Sequence, residues 1–268
     1  MIKCGITGFN GNLGKAFLKS NTNLKFIKFK GDIRKKKDVY NWIKNNDFNI
    51  LIHFAALVPT FVVDKNYNQA LRVNYKGTKY LVDAIISYKK KIDWFFFSST
   101  SHVYSCQNRK IKENFKTKPS SKYGKTKLLA ENYIIKKFKS LQINYCIGRI
   151  FSILDNKAKG FFIPNLIKKI KKKQKKIILS NLNHYRDFLS TDQISTIIHY
   201  LLKKRFVGII NIASGKKTNL KTLAKIFAKK LKKEIIFEKN SPTSLLADIK
   251  KLESLGFKQK KLNFVRFF

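Results

Sequence analysis

Residues 2–14 read IKCGITGFNGNLG, and the fold class of the whole chain follows from this stretch. The apolar run Ile2–Thr7 has strand character and passes directly into three glycines, Gly8, Gly11 and Gly14. Glycines at this spacing permit a tight turn, a close approach of the backbone to a pyrophosphate, and close packing of the next helix on the strand. The pyrophosphate would lie at that helix N-terminus, where free N–H groups favour an anion. The stretch predicts the first βα unit of a dinucleotide-binding domain.

Up to residue 150, short β-type runs alternate with polar segments of helix length. The predicted strands are Ile2–Thr7, Leu24–Phe29, Ile50–Phe54, Asp93–Ser98 and Asn144–Ile150. The predicted helices cover Asn12–Ser20, Lys35–Asn45, Gln69–Tyr88 and Tyr123–Lys139. Alternation of this kind indicates right-handed βαβ units. Residues 1–150 are therefore predicted to form an α/β dinucleotide-binding domain with a Rossmann-type, doubly wound parallel sheet.

The remainder of the chain has shorter elements. Strands are predicted at Ile177–Leu179, Gly208–Ile212 and Glu234–Glu238, and helices near Asp192–Lys204 and Leu220–Leu231. Residues 151–268 are predicted to form a smaller C-terminal α/β region that binds the substrate and closes over the carboxyl edge of the sheet.

Charge is the strongest compositional signal, because 58 Lys and Arg residues against 15 Asp and Glu give a net charge of +43. This excess invites a second hypothesis, a nucleic-acid-binding or regulatory protein on a Rossmann scaffold. The lysines are spread over nearly every predicted helix surface and form no single basic face. That distribution favours a solvated surface, so a nucleic-acid partner is disfavoured.

The chain lacks a membrane or metal signature. It has no apolar stretch of 18 residues, which argues against a membrane span. Its N-terminus is strand-like and lacks the pattern of a signal peptide. The cysteines Cys4, Cys106 and Cys146 form no metal-binding pattern. These features predict a cytoplasmic protein without a metal site.

A candidate acid/base pair occurs in residues 119–132, PSSKYGKTKLLAEN, where Tyr123 precedes Lys127 by four residues. On a helix these side chains share one face, with Cβ atoms about 5–6 Å apart. A cation so close favours the phenolate and is expected to lower the Tyr123 pKa from its ordinary ~10. Such a phenol could transfer a proton in ketone reduction or alcohol oxidation.

The tip of the second predicted strand bears on cofactor choice. An NAD site normally carries an acidic residue there for the ribose hydroxyls. This chain has Lys28 and Lys30 at the tip, which would accept a 2′-phosphate, so NADP is favoured. Asp32 and Ile33 are expected to face the adenine.

Motifs along nearly the whole chain match one enzyme family: TGFNGNLG, HFAAL, VNYKGT, FFFSSTSHVY, YGKTK, GRIFSI, YRDFLSTDQI, NIASGK and the terminal-helix segment LLADIKKLESLGF. The chain resembles an extended short-chain dehydrogenase/reductase of the NAD-dependent epimerase/dehydratase group, whose members act on nucleotide-sugars. The resemblance implies a nucleotide-sugar substrate and NAD(P) as cofactor, and it leaves a homodimer open.

The resemblance also assigns roles. Tyr123 would be the acid/base, and Lys127 would bind the nicotinamide ribose. Thr100, four residues before Tyr104, would hydrogen-bond the sugar oxygen that is oxidised or reduced. Arg186 would meet the nucleotide or diphosphate end of the substrate, and His102 would also line the substrate site. The implied cofactor contacts are Gly8, Phe9, Asn10, Gly11, Asn12, Leu13, Gly14, Lys30, Asp32, Ile33, Phe54, Ala55, Ala56, Asn74, Tyr123 and Lys127.

Ser101 and His102 narrow the range of reactions that the resemblance allows. Dehydratases of this group carry an Asp-Glu pair after the Thr, and its Glu eliminates water. The expected base is therefore missing here, and elimination is disfavoured. His102 either transfers a proton, since histidine titrates near neutral pH, or is a polar loop residue that shapes the pocket. The sequence thus predicts hydride transfer at one sugar carbon, by a 4-ketosugar reductase or a 4-epimerase that serves polysaccharide synthesis.

Overall fold

The computed structural model describes residues 1–20, 23–58, 60–155, 162–172, 174, 176–260, 262 and 264. The strands are β1 (Ile2–Thr7), β2 (Leu24–Lys28), β3 (Ile50–His53), β4 (Trp94–Thr100), β5 (Tyr145–Ile150), β6 (Ser152–Leu154), β7 (Lys176–Leu179), β8 (His184–Arg186), β9 (Phe188–Ser190), β10 (Gly208–Ile212), β11 (Thr218–Asn219), β12 (Glu234–Phe237) and β13 (Thr243–Leu245). The α-helices are α1 (Asn12–Lys19), α2 (Lys36–Lys44), α3 (Thr60–Lys65), α4 (Tyr67–Ala70), α5 (Gly77–Ser87), α6 (Lys122–Ser140), α7 (Phe162–Ile170), α8 (Thr191–Lys203), α9 (Leu220–Lys230) and α10 (Lys250–Ser254). A π-helix (Leu71–Lys76) joins α4 to α5, and a 3₁₀ turn (Ser101–Val103) follows β4.

The chain divides into two compact units, each built from three segments. The first unit comprises Met1–Ser105, Lys116–Ile150 and Asp192–Ile210. The second comprises Cys106–Phe115, Phe151–Thr191 and Asn211–Phe268. The first unit thus includes a segment that follows residue 150, and the second includes one that precedes it.

A parallel central sheet organises the first unit, with the strand order β10-β5-β4-β3-β1-β2. From β1 the chain runs to β2 on one side and then returns to β3 on the other side. In open sheets of this kind, ligands bind where the strand order reverses, beyond the carboxyl ends of the strands. The predicted Rossmann-type, doubly wound sheet is confirmed, and it brings the ends of β1, β3 and β4 to one edge.

Alternating aromatic side chains of β4 anchor both faces of this sheet. Phe95 and Phe97 belong to the cluster beneath α2, α5 and α6, and both are fully buried. Phe96 points to the opposite face, where its ring lies 5.9 Å from that of Phe54, and Phe54 in turn lies 5.5 Å from Phe17 of α1. Successive residues of a strand face opposite sides, so one apolar run supplies two cores. Each such side chain contributes about 1.5–3 kcal/mol on burial.

The helix predicted over Gln69–Tyr88 is interrupted. Residues Leu71–Lys76 form a π-helix, and Asn74 lies within it. A π-turn holds more residues per turn than an α-helix and occurs often at functional sites. The hydrophobic pattern does not reveal such an insertion, because the flanking turns keep the ordinary helical period.

The second unit has a core of its own, made by Leu154, α7 and α9 with Leu179 and Phe188. Its sheets are small: β8 pairs with β11 and β13, β7 pairs with β12, and β6 pairs with β9. The terminal helix expected in LLADIKKLESLGF begins only at Lys250. Leu245 instead pairs with Arg186 in a sheet, and the Asp248 carboxylate accepts a hydrogen bond from the Lys250 N–H. These two contacts hold the preceding residues out of the helix.

The described residues contain neither a membrane-spanning helix nor a metal-binding cluster. No helix in this part of the chain is long and apolar enough to cross a membrane. The same residues contain no cluster of His, Cys, Asp and Glu side chains that could hold a metal ion.

Candidate active site

The turn after β1 requires glycine at two of its three glycine positions. Gly8 has φ +70°, and a Cβ built there would lie 2.4 Å from the Ala55 nitrogen. A Cβ on Gly14 would lie 2.4 Å from the Gly8 carbonyl oxygen. A Cβ on Gly11 would meet only that same oxygen, at 3.3 Å. The backbone of this turn therefore lies directly against the end of β3, as a dinucleotide site needs.

The N-terminus of α1 is open to an anion. Gly11 is its N-cap, and no side chain caps the helix or places an acid in its first turn. Gly8, Phe9 and Leu13 are half-buried, Asn10, Gly11 and Asn12 are exposed, and Gly14 is buried. At the neighbouring end of β3, Phe54 is buried, and Ala55 and Ala56 are half-buried. The glycine cradle and the uncapped helix N-terminus fit a pyrophosphate.

The region after β2 contains a cation that the sequence analysis did not select. Arg34 forms a bidentate ion pair with Asp32, with 2.7 Å between Nη2 and Oδ2 and 3.0 Å between Nε and Oδ1. The hydrogen bonds from Arg34 lower the Asp32 pKa. Lys30 is exposed, and the Lys28 ammonium lies 5.6 Å from the Phe9 ring centroid. The spacing Asp-x-Arg at the strand tip was the signal that could have identified Arg34.

Ile33, the neighbour of Asp32, is buried. It packs against Gly77 of α5, where an added Cβ would lie 2.7 Å from the Ile33 Cγ1 atom. This close contact holds the segment after β2 against α5.

Asn74 connects the segment after β3 to helix α6 through side-chain hydrogen bonds. Its side-chain oxygen accepts a hydrogen bond from the Leu57 N–H at 2.6 Å, and its amide nitrogen donates to the Thr126 hydroxyl at 3.0 Å. Thr126 in turn donates to the Tyr123 carbonyl oxygen at 2.8 Å. Asn74 is fully buried, so a single side chain positions both the segment after β3 and the start of α6.

Thr100, His102 and Tyr123 meet at the carboxyl end of β4. The Tyr123 hydroxyl shares a hydrogen bond with the Thr100 hydroxyl. The exposed His102 ring lies edge-on to the Tyr123 ring, with 5.8 Å between centroids, and its Nδ1 lies 3.5 Å from the Ser121 hydroxyl. The structure therefore brings the predicted hydroxyl pair together and places His102 beside it.

Gly124 permits this approach. Ser121 caps α6 by accepting a hydrogen bond from the Gly124 N–H at 3.0 Å. A Cβ on Gly124 would lie 2.1 Å from the His102 carbonyl oxygen, so only glycine allows α6 to begin at this point. Sequence analysis did not select Gly124, although it follows Tyr123 directly in YGKTK.

The electrostatics of Tyr123 and Lys127 differ from the prediction. Desolvation raises the pKa of Tyr123 above its ordinary value, and the hydrogen bond with Thr100 offsets only part of this effect. Burial has the opposite effect on the basic Lys127 and lowers its pKa to about 7. The charge of Glu131 raises the Lys127 pKa, but this effect is smaller than that of burial. The prediction that Lys127 lowers the Tyr123 pKa is wrong for this structure, because burial disfavours the charged form of both groups.

The Lys127 ammonium is available to a ligand. The side chain is 1% exposed, and its Nζ lies 4.1 Å from the Phe97 ring centroid. Within the described residues no group accepts a hydrogen bond from it. Nearby His53 is also buried, where it bonds the hydroxyls of Thr7 and Thr78, and burial holds its pKa well below the ordinary value. A neutral His53 thus adds no competing positive charge.

Arg186 lies in the second unit. Its guanidinium donates to the Thr243 hydroxyl and to the Tyr185 carbonyl oxygen, and burial lowers its pKa. No carboxylate pairs with it in the part of the chain that the structure describes. On the same strand, His184 also hydrogen-bonds the Thr243 hydroxyl, at 2.8 Å. A half-buried guanidinium without an acidic partner among the described residues is suited to receive an anion.

The sequence as a whole matches the model of the GDP-mannose 4,6 dehydratase family over residues 6–262. The chain belongs to this family. The resemblance to the extended short-chain dehydrogenases/reductases that act on nucleotide-sugars is thereby confirmed.

Curated relatives carry several activities. A putative UDP-glucose 4-epimerase of Methanocaldococcus jannaschii is 30% identical and covers 90% of this chain and 81% of its own length. A GDP-6-deoxy-D-talose 4-dehydrogenase of Aggregatibacter actinomycetemcomitans is 27% identical, over 80% of this chain and 75% of its own. A dTDP-D-glucose 4,6-dehydratase of Dictyostelium discoideum is 27% identical, over 72% and 46%. Family membership therefore leaves epimerase, dehydrogenase and dehydratase activity open.

Solved structures share the fold. RMD from Pseudomonas aeruginosa, complexed with NADPH, superposes with a TM-score of 0.86 at 18% identity, over 98% of this chain and 96% of that one. MoeE5 in complex with UDP-glucose and NAD gives a TM-score of 0.84 at 19% identity, over 99% and 96%.

Proposed function

We propose that this protein is an NAD(P)-dependent oxidoreductase that acts on a nucleoside-diphosphate sugar and moves a hydride at one sugar carbon, as a 4-ketosugar reductase or a 4-epimerase. The observation that carries the proposal is the hydrogen-bonded pair of hydroxyls on Tyr123 and Thr100, with the Lys127 ammonium one helical turn further along α6. The names of the relatives, an epimerase and a 4-dehydrogenase among them, support hydride chemistry on a sugar.

The cofactor would bind across the carboxyl edge of the sheet in the first unit. Gly8, Gly11 and Gly14 would receive the pyrophosphate, and Lys127 would donate hydrogen bonds to the ribose on the nicotinamide side. A bound nicotinamide supplies or accepts the hydride. Asn74 would keep the segment Phe54–Leu57 in place beneath it, because its side chain holds Leu57 through both N–H and C=O.

Tyr123 would exchange the proton with the sugar oxygen. Its raised pKa keeps the phenol protonated at neutral pH in the free protein, so it is ready to donate a proton to a ketone. Thr100 would hydrogen-bond the same oxygen and orient it. Ketone reduction starts with a proton donor, so this protonation state is compatible with a reductase.

NADP is the proposed dinucleotide. Arg34 and Lys30 place two cations after β2, and Asp32, the acid nearest to them, is held in the ion pair with Arg34. The similar structures hold NADPH in one case and NAD in another, so the proposal depends on these charges. Arg34 adds a planar guanidinium, which suits a phosphate better than a lysine does.

The second unit would hold the substrate, with Arg186 at its diphosphate or nucleotide end. Arg186 is half-buried and has no acidic partner among the described residues, which supports this role. Elimination remains disfavoured in the proposal, because the positions after Thr100 carry Ser101 and His102. The buried Ser101 hydroxyl cannot replace a carboxylate base at neutral pH, and His102 is proposed to shape the pocket or to relay a proton.

The proposal is tested with a panel of nucleotide-sugars and their 4-keto derivatives. NADPH absorbance and product configuration are followed together, so that net reduction is distinguished from epimerisation. Tyr123→Phe is expected to abolish turnover while dinucleotide affinity changes less than about twofold, because the phenol acts on the proton and the glycine turn binds the cofactor.

Tyr133→Phe is the matched control, since Tyr133 lies on the same helix but bonds Asp83 and Lys79. It should keep full turnover. Retention of most activity in Tyr123→Phe would exclude the proposed mechanism, and inactivity of the native protein on the whole panel would exclude the proposed substrates.

A further inference from the structure

Behind the proposed site, α6 carries a buried carboxylate one turn beyond Lys127. Glu131 is 0% exposed, and its Oε2 lies 2.7 Å from the Nη2 atom of Arg149, which is 4% exposed. The Nε atom of Arg149 lies 3.2 Å from both carboxylate oxygens. The Ser99 hydroxyl also donates to Glu131. Every partner of this carboxylate is therefore a hydrogen-bond donor.

We propose that Glu131 is a positioning residue that favours the charged form of the Lys127 side chain and aligns it for the dinucleotide. The inference rests on the proposed function only where it states that Lys127 binds the dinucleotide. The electrostatic interaction between Glu131 and Lys127 is present in the free protein.

Helix geometry places Lys127 and Glu131 next to each other on α6. Residues at i and i+4 on a helix lie one above the other on the same face. Lys127 and Glu131 are both fully buried, so water screens their interaction poorly. Since Lys127 donates no hydrogen bond to the described residues, its attraction to Glu131 is the main compensation for its loss of hydration, apart from its contact with the Phe97 ring.

The groups around Lys127 on the other elements do not supply that compensation. β3 presents His53, whose low pKa keeps it neutral. β4 presents the uncharged Phe97 ring, and Arg149 of β5 pairs with Glu131 and is itself a cation. On α6 itself Tyr123 stays protonated at neutral pH. Glu131 is thus the carboxylate that favours the ammonium form of Lys127, in agreement with its raising effect on the Lys127 pKa.

The ion pair also connects α6 with β4 and with the turn after it. Ser99 is the neighbour of Thr100 on β4, and Arg149 donates to the Tyr104 hydroxyl at 2.8 Å just beyond the 3₁₀ turn. A buried ion pair rarely adds stability compared with apolar side chains of similar volume. Its retention here fits a role in setting the charge and alignment of the site better than a role in stability alone.

The test follows the titration of Lys127 in the free protein by NMR with ¹³Cε-labelled lysine, assigned by the signal lost in Lys127→Arg. Glu131→Gln keeps the shape of the side chain but removes the charge, and its NH2 group replaces one of the two oxygens that accept from Arg149 and Ser99. It is expected to lower the Lys127 pKa by about one unit or more, a tenfold change in the ratio of ammonium to amine. Glu131→Asp keeps the charge and should hold the Lys127 pKa closer to that of the native protein.

Asp83→Asn is the matched control, because it removes a carboxylate that pairs with Lys79 at the surface of α5. It should leave the Lys127 signal unchanged. If Glu131→Gln does not fold, the double variant Glu131→Leu with Arg149→Met is compared with Arg149→Met alone, so that the guanidinium is absent from both and only the carboxylate differs; the Lys127 pKa should be lower in the double variant. An unchanged Lys127 titration in a folded Glu131 variant, or an equal shift in Asp83→Asn, would overturn the inference.

Activity gives a second, separable readout. Where a substrate is found, the alkaline limb of the kcat/KM profile should move to lower pH by about one unit in Glu131→Gln, because the ammonium form is lost earlier. Absence of activity on every substrate would contradict the proposed function, and the NMR titration would still decide the role of Glu131.

Discussion

Burial decides the charge of the two candidate catalytic residues. The spacing of Tyr123 and Lys127, and the position of Thr100, could be predicted from the sequence, since each lies in a recognisable motif. The direction of their pKa shifts could not, because it depends on how much water the folded chain removes from each group. Desolvation raises the pKa of Tyr123 and lowers that of Lys127 to about 7, so both side chains are biased toward their neutral forms.

The lowered pKa of Lys127 reduces the stability of the folded protein at low pH. An unfolded lysine titrates near ~10.4, whereas Lys127 titrates at about 7 in the folded chain. Between these values the unfolded state binds the proton more tightly, so native stability rises with pH in this window and the full cost is present below it. Lys127→Met is therefore expected to raise the free energy of unfolding at pH 6, and the gain should shrink by up to about 1.4 kcal/mol per pH unit toward pH 10.

Urea unfolding at pH 6, 8 and 10 measures this difference. Lys79→Met serves as a control of opposite sign, because the Lys79 ammonium bonds Asp83 and Tyr133, which raises its pKa. That variant should lose a little stability at pH 6. If Lys127→Met does not raise the free energy of unfolding, or if the increase does not change with pH, burial of a charged Lys127 side chain does not destabilise the protein as argued.

Among the elements, the turn between β1 and α1 could be predicted most completely. Its three glycines indicate both a tight turn and an anion site, and the structure adds which of them are required by contact. The π-helix at Asn74 and the short terminal helix could not be foreseen, because each depends on tertiary hydrogen bonds. Leu57 and Thr126 are the partners of Asn74, and neither is marked by a local pattern.

Two alanine substitutions in this turn should behave differently. Gly8→Ala places a Cβ against the backbone of Ala55 and forces a left-handed φ on alanine, so it should cost several kcal/mol of unfolding free energy. Gly11→Ala meets only one atom at 3.3 Å and should cost less than about 1 kcal/mol. Thermal or urea unfolding checks the pair, with dinucleotide affinity measured in the variant that folds. Equal stability of the two variants would disprove the contact argument.

At the scale of the whole molecule, the net charge of +43 dominates solution behaviour. Like charges repel in the compact state, and salt shortens the range of that repulsion from about 30 Å at 0.01 M to about 8 Å at 0.15 M. Raising NaCl between these concentrations should therefore raise Tm by several degrees, as calorimetry would measure. A Tm that stays constant would show that the charges are too dispersed to repel appreciably.

The same salt series addresses the nucleic-acid alternative. Lysines spread over the surface should bind RNA weakly at 0.01 M salt and release it near 0.15 M, since such binding depends on counterion release. Saturable RNA binding that survives at 0.15 M would count against a protein that acts on nucleotide-sugars alone.

The first unit includes Asp192–Ile210, and this has a consequence for synthesis on the ribosome. β10 lies beside β5, and the Trp94 indole N–H donates to the Phe206 carbonyl oxygen at 2.8 Å. A nascent chain that ends near residue 150 leaves β5 as an open edge and Trp94 without that acceptor. Domains usually fold one after another as they emerge. Here the N-terminal sheet must wait, still incomplete, until the ribosome has also made residues 151–191 and the strand that follows α8.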